Sequence, residues 1–139
     1  MTTDWSDDTV PWSEDNLQVA MVQKLLRMED TLGGFTFAAG LEGMKTSKSV
    51  ASRQKRMGMR AGEADLRLYF EDGVTVFVEN KRGTSGGQKR GYASPEQKKR
   101  HELLKELGFE VHLLVPNTPN EAQEMIKRIV IKHTLDRGL

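Results

Sequence analysis

A chain of 139 residues without cysteine can hold neither a disulfide nor a thiolate metal centre, and its length suits one domain with a real buried core. Charged residues make up 29% and hydrophobic ones 37%, the balance of an ordinary soluble protein, and no apolar run approaches the roughly 20 residues of a membrane span. Net charge is only +1, and the acidic N-terminus does not read as a signal peptide, so a cytoplasmic location is expected.

Residues 1–12 form an acidic lead-in, and the first fifteen positions hold five acids and no base. Trp5 and Trp12 are unusual in a free tail and suggest that this segment anchors on the domain or on a second subunit. Ser13 is a helix N-cap, and Leu17, Met21, Leu25, Met28 and Leu32 recur at helical spacing, which predicts a helix over 14–32 stopped by Gly33-Gly34. Residues 35–39 read as a short strand, followed by a glycine-containing turn. Lys45, Lys48, Arg53, Lys55, Arg56 and Arg60 then fall in a stretch without an acid, where residues 47–57 are a candidate basic helix.

Two strand-like runs come next, 64–70 and 74–81, separated by Glu71-Asp72-Gly73, the turn of a β-hairpin. Side chains alternate along a strand, so Glu79 and Lys81 share a face with Thr75 and Phe77, while Asn80 points the other way. A three-residue loop pairs Phe70 with Val74 and, counting back, sets Asp65 opposite Glu79. Cβ atoms would then lie roughly 4.5–5.5 Å apart, where like charges destabilise a sheet unless a cation sits between them. A two-residue Asp72-Gly73 turn would instead shift the register by one and send Asp65 to the other face. Gly73 as the left-handed third residue favours the odd loop. Two carboxylates able to hold a divalent cation, with a lysine able to orient water, are the minimal equipment for cutting a phosphodiester bond. On spacing alone, an exposed salt-bridged hairpin is the commoner reading of these residues.

Residues 81–100 hold seven bases against the single Glu96. The loop at 82–93, with Gly83-Thr84-Ser85-Gly86-Gly87 and then Lys89, Arg90 and Tyr92, is either a mobile basic loop gripping a polyanion or a disordered connector. The two basic stretches flank the hairpin, as an electrostatic footprint for a polyanion would. Ser94-Pro95-Glu96-Gln97 starts a helix that runs to Leu107 and ends at Gly108. The apolar run 109–115 suggests a central strand covered on both faces. A last helix reaches from about 119 to about 135, and Met125, Ile126, Ile129, Val130, Ile131 and Leu135 spread over more than one of its faces, which suggests a partner surface. His101, His112 and His133 lack ligand spacing and read as ordinary surface or half-buried residues. Glu63 reads as solvated. The order α-β-(α)-β-β-α-β-α is that of an α/β domain with a mixed sheet over residues 13–139.

Gly62-Glu63-Ala64-Asp65-Leu66, Val78-Glu79-Asn80-Lys81, Ser94-Pro95-Glu96-Gln97 and Leu107-Gly108-Phe109-Glu110-Val111 together resemble the virus-type replication-repair nuclease (VRR-NUC) domain, a branch of the PD-(D/E)XK nuclease superfamily, over about residues 13–130. Two positions depart from the family pattern: Ala64 stands for the proline before the first catalytic aspartate, and Asn80 for the apolar middle residue of E-x-K. Neither removes a catalytic group.

The resemblance implies a restriction-endonuclease-like core, a mixed central sheet flanked by helices. It also implies Asp65, Glu79 and the Asn80 backbone carbonyl as ligands of Mg²⁺ or Mn²⁺. Lys81 would orient or help deprotonate the attacking water. The family glutamate of the first helix falls on Glu14, which reads equally as a first-turn acid complementing the helix dipole, with Asp15 as its nearest substitute. The family glutamine falls on Gln97, which is also the capping-box partner of Ser94. Lys45, Lys48, Arg53, Lys55, Arg56, Arg60, Lys89, Arg90 and Lys98 would contact DNA. What is implied is a homodimeric, phage-encoded endonuclease of branched, Holliday-junction-like DNA in a bacterial host cell. The alternatives are a flap or linear-duplex nuclease of the same superfamily and a non-catalytic nucleic-acid-binding domain.

Overall fold

The computed structural model describes residues 4–40 and 47–135; Lys45 and most of the turn expected after the first strand lie outside the described residues. Helix α1 (Glu14–Thr31) opens with a capping box, in which Ser13 Oγ accepts the Asn16 N–H at 3.1 Å. Leu17, Ala20, Met21, Leu25 and Met28 form its buried stripe. Leu32 falls outside that stripe as the exposed C-cap, and the chain leaves the helix through Gly33 and Gly34 at φ 71° and 79°.

Strand β1 (Phe35–Ala39), helix α2 (Lys48–Arg56), strands β2 (Leu66–Phe70) and β3 (Val74–Asn80), helix α3 (Pro95–Glu106), strand β4 (Glu110–Leu114) and helix α4 (Pro119–Thr134) follow in the expected order. The sheet order is β1-β2-β3-β4, antiparallel except for the parallel β3–β4 pair. It is the mixed sheet of an α/β fold.

The expected central position of the 109–115 run is corrected: β4 is an edge strand, and β2 and β3 are central. Each face of β4 is partly covered by a helix, α3 against Val111 and α4 against Glu110, while Leu113 stays 43% exposed. A largely apolar run therefore reports coverage of two faces, not two strand neighbours.

The two faces of the sheet are packed unequally. Leu66, Leu68, Phe70, Val76 and Val78 join Leu17, Met21, Leu25, Ile126 and Val130 of α1 and α4 in the main core. Among the described residues, the opposite face buries a smaller apolar cluster of Ala64, Phe77 and Leu104, with Val111 against them. That thin second layer leaves room for polar groups at the C-terminal end of β3.

Helix α4 uses much of its apolar width inside the chain, while Leu135 at its end stays 51% exposed. Ile126, Ile129 and Val130 are buried and Ile131 packs on the main core. Its last turn also carries His133, which with His112 and Lys132 surrounds Glu110 at 3.0, 2.6 and 3.1 Å. Burial alone would raise the Glu110 carboxyl, but hydrogen bonds from His133, His112 and Lys132 outweigh it and hold it down at about 2. A depressed carboxylate stabilises the fold above its unfolded value of about 4.5, and that contribution is lost as pH falls towards 2. Glu110→Gln should therefore lower the melting temperature at pH 7 and flatten its fall between pH 4.5 and 2, read by thermal unfolding followed by circular dichroism.

The acidic lead-in is docked on the domain. Trp12 is buried in the main core, its indole Nε1 donates to the Asp7 carbonyl at 2.7 Å, and its own carbonyl accepts from Gln88 Nε2 at 2.8 Å. The Asn120 N–H donates to the Trp5 carbonyl at 3.1 Å. The 82–93 loop is tethered by the same contacts rather than left as a free connector: Gly86 N–H reaches the Asp8 carbonyl at 2.8 Å and Thr84 N–H reaches Asn117 Oδ1 at 2.8 Å.

Candidate active site

The hairpin register decides the geometry. Phe70 pairs with Val74 and Leu66 with Val78, so the next step outward sets Asp65 across from Glu79. The loop Glu71–Gly73 has the odd length this requires, and both Asp72 and Gly73 are left-handed, at φ 63° and 73°. Aspartate is among the few residues besides glycine that tolerate this region.

At the open end of the hairpin, Asp65 Oδ2 accepts the Asn80 backbone N–H at 2.8 Å. Glu79 is 99% buried, and its carboxyl is pushed up to about 9, by burial first and then by the hydrogen bond and charge of Asp65; Lys81 opposes the shift. Lys81 Nζ lies 3.9 Å from Glu79 Oε2. The opposite oxygen, Oε1, has no hydrogen-bond partner among the described residues. A cation bound here would compete with the proton that burial and the neighbouring Asp65 favour on Glu79.

The donor set fits a hard divalent cation. No three His, Asp or Glu side chains among the described residues converge into a ready-made cage. Two carboxylates suffice for Mg²⁺ or Mn²⁺, which keep several of their waters.

Asn80 ties this end of β3 to α1. Its buried side chain donates from Nδ2 to the Glu14 carbonyl at 2.9 Å, and Oδ1 is left without a partner among the described residues. The Glu14 carboxylate lies 3.8 Å from Arg82 Nη1, close enough to the site for its charge to contribute to the rise at Glu79. Gln97 is in the capping box: its Oε1 accepts the Ser94 N–H at 2.8 Å, and Ser94 Oγ accepts the Gln97 N–H at 3.1 Å.

Two expectations are corrected here. Glu63 is not solvated; Arg67 and Arg100 each pair with it at 3.3 Å, because α3 brings Arg100 against the start of β2. His101 is not an ordinary surface residue. It is buried, with Nε2 3.4 Å from Glu79 Oε1. Burial and then Lys105 push its ring below the usual histidine range, against Asp65 and Glu63, which raise it. The signal was its spacing from Gln97, one helical turn along the same face.

The basic residues surround this end of the sheet in sequence. Lys48, Arg53, Lys55, Arg56 and Arg60 are exposed on and after α2, and Lys89 and Lys98 are exposed beyond β3. Arg90 stacks over Tyr92 with its guanidinium 4.1 Å from the ring centroid. Arg60, Glu63, Arg67 and Arg100 line a cleft of about 370 Å³.

No family model matches the sequence, and no curated protein matches it. Among solved structures, one described as a VRR_NUC domain protein aligns with a TM-score of 0.58 and 22% identity, covering 88% of this chain and 90% of that one. The chain has the fold of a VRR-NUC domain. A further structure, described as a VRR_NUC domain, aligns at a TM-score of 0.48 and 19% identity over 84% of this chain and 92% of that one. On this VRR-NUC fold, Glu79 is the penultimate residue of the central strand β3, and α3 closes over the sheet face that carries it. Among the described residues no helix is long and apolar enough to cross a membrane.

Proposed function

We propose that this chain is a divalent-cation-dependent endonuclease that hydrolyses DNA phosphodiester bonds, acting on branched, Holliday-junction-like DNA as a homodimer. The observation that carries the reading is the pairing of Asp65 with a buried Glu79, with Lys81 at 3.9 Å, on a fold shared with a VRR_NUC domain protein. A bound Mg²⁺ or Mn²⁺ would supply charge stabilisation at the phosphate oxygens and a more acidic water.

The remaining work falls to the chain's own groups. Asp65, Glu79 and the Asn80 carbonyl would hold the cation, and Glu14, whose charge reaches Glu79, would be a further candidate ligand. Lys81 orients the attacking water and offsets charge on phosphorus. Gln97 keeps an amide N–H₂ that can face the phosphate while Oε1 caps α3. Lys48, Arg53, Lys55, Arg56, Arg60, Lys89, Arg90 and Lys98 track the DNA backbone. A basic helix with so little buried surface is better explained by phosphate contacts than by packing. Two copies related by a two-fold axis would cut a four-way junction symmetrically.

Cleavage of four-way, flap and linear duplex substrates with Mg²⁺ or Mn²⁺ tests the reading. Preferred cleavage of the junction, lost in Lys81→Ala with DNA binding retained, is the expected result. Preference for flap or linear DNA selects the neighbouring reading within the superfamily. Metal-independent binding without cleavage of any form selects a non-catalytic binding domain. Arg53→Ala combined with Arg56→Ala should weaken binding to all DNA forms alike and reduce the salt-dependence slope by about 2, roughly one per phosphate contact.

A further inference from the structure

We propose that His101 is a positioning residue of this site, donating from Nε2 to Glu79 Oε1 and so holding the Glu79 carboxylate turned towards Asp65. The inference rests on the reading of Asp65 and Glu79 as cation ligands. Its physical basis is a pair of deficits that match. Glu79 Oε1 and His101 Nε2 are both buried, both lack a hydrogen-bond partner among the described residues, and they face each other at 3.4 Å. Native proteins seldom leave two such atoms unmet. A shift of a few tenths of an ångström brings them to hydrogen-bond distance.

The rest of the carboxylate's surroundings points the same way. Lys81 Nζ stands on the Oε2 side at 3.9 Å, and Asp65 Oδ2 is already engaged by the Asn80 N–H. The nitrogen seen beside Oε1 is His101 Nε2 at 3.4 Å, and it comes from α3. Helix α3 can deliver it because Ser94 and Gln97 fix the helix start and Leu104, one turn beyond His101, packs with Phe77 under the sheet. Gln97, His101 and Leu104 share one helix face, with a capping amide, a donor and an apolar anchor in succession. Ligand carboxylates held by such neighbours lose their preferred orientation when the neighbour is removed, typically at a cost of 10–100-fold in metal affinity.

The test measures Mn²⁺ binding to the full chain without DNA, from the loss of the free-ion signal in electron paramagnetic resonance. His101→Leu should bind Mn²⁺ about 10–100-fold more weakly than the wild type while its thermal unfolding stays cooperative. His101→Gln, whose amide reaches the Nε2 position, should restore affinity to within about threefold of the wild type, well inside that 10–100-fold window. Should His101→Leu not fold, His101→Gln against His101→Asn carries the same comparison, since the shorter amide stops at the Nδ1 position. Equal affinity of the leucine (or asparagine) variant and the wild type overturns the inference. Nitrogen coupling in the Mn²⁺ spin-echo spectrum would make His101 a ligand and also overturn it. A wild-type protein that takes up no Mn²⁺ removes the reading of the site, and this inference with it; one that binds Mn²⁺ independently of His101 leaves the site standing and removes only this inference.

Discussion

Glu79→Gln should abolish cation-dependent DNA cleavage and at the same time stabilise the cation-free protein above about pH 5. The two effects have one cause. Glu79 is 99% buried opposite Asp65, and its folded value of about 9 lies above the 4.5 of an unperturbed glutamate. The folded chain keeps a proton that the unfolded chain gives up, so stability is full below pH 4.5 and declines as pH rises towards 9. Glutamine keeps the volume and never ionises, so the variant should show a flat melting temperature over that window, where the wild type falls. Mn²⁺ replaces the proton, so it should stabilise the wild type more at pH 8 than at pH 6, and the variant little at either. Cleavage responds in the opposite direction. Loss of a ligand removes several kcal/mol of charge stabilisation, on the order of 10³-fold in rate. Single-turnover cleavage and thermal unfolding across pH 5–9 check both. A variant less stable than the wild type at pH 8 without metal would contradict the burial argument even if cleavage were lost.

Which parts of this arrangement were legible in the sequence depends on how local their causes are. The α1 start, the α3 start and the hairpin register follow from Ser13, from Ser94 with Pro95 and Gln97, and from a three-residue loop, all of which act within a few residues. The edge position of β4 was not legible, because the 109–115 run records which faces are covered and says nothing about strand neighbours. Glu63 and His101 escaped for a related reason. Their partners, Arg100 and Glu79, are 37 and 22 positions away, and they meet only once α3 has closed on the sheet. The docking of the lead-in was half legible: two tryptophans suggested an anchor, but not that Gln88 and Gly86 would be its counterparts. Gln97 carried two readings, and the capping geometry is the one seen. Its remaining amide hydrogens leave the catalytic reading to experiment.

Gly62→Ala should be strongly disruptive, because Gly62 packs against the first turn of α3 and so sets how closely that helix approaches Asp65. Its φ is +80°, and a Cβ there would lie 2.4 Å from the Glu96 carbonyl oxygen and 2.8 Å from the Gln97 nitrogen. Both are backbone atoms of the first turn of α3, so no side chain can swing aside. The left-handed conformation costs an alanine about 1–2 kcal/mol, and forced repacking adds about 1–3 kcal/mol. A loss of about 2–5 kcal/mol in urea unfolding is expected from the sum. Relief is available only if α3 retreats, and that carries Gln97 and His101 away from Glu79, so cleavage should fall in the fraction that still folds. Gly58→Ala separates the two causes. Gly58 has φ +100° and nothing within 4 Å of its Cβ position, so it bears backbone strain alone. It should lose about 1–2 kcal/mol with cleavage unchanged. If the two variants prove equally stable and equally active, the close approach of Gly62 to Glu96 does not hold α3 in place, and the position of His101 beside Glu79 needs another support.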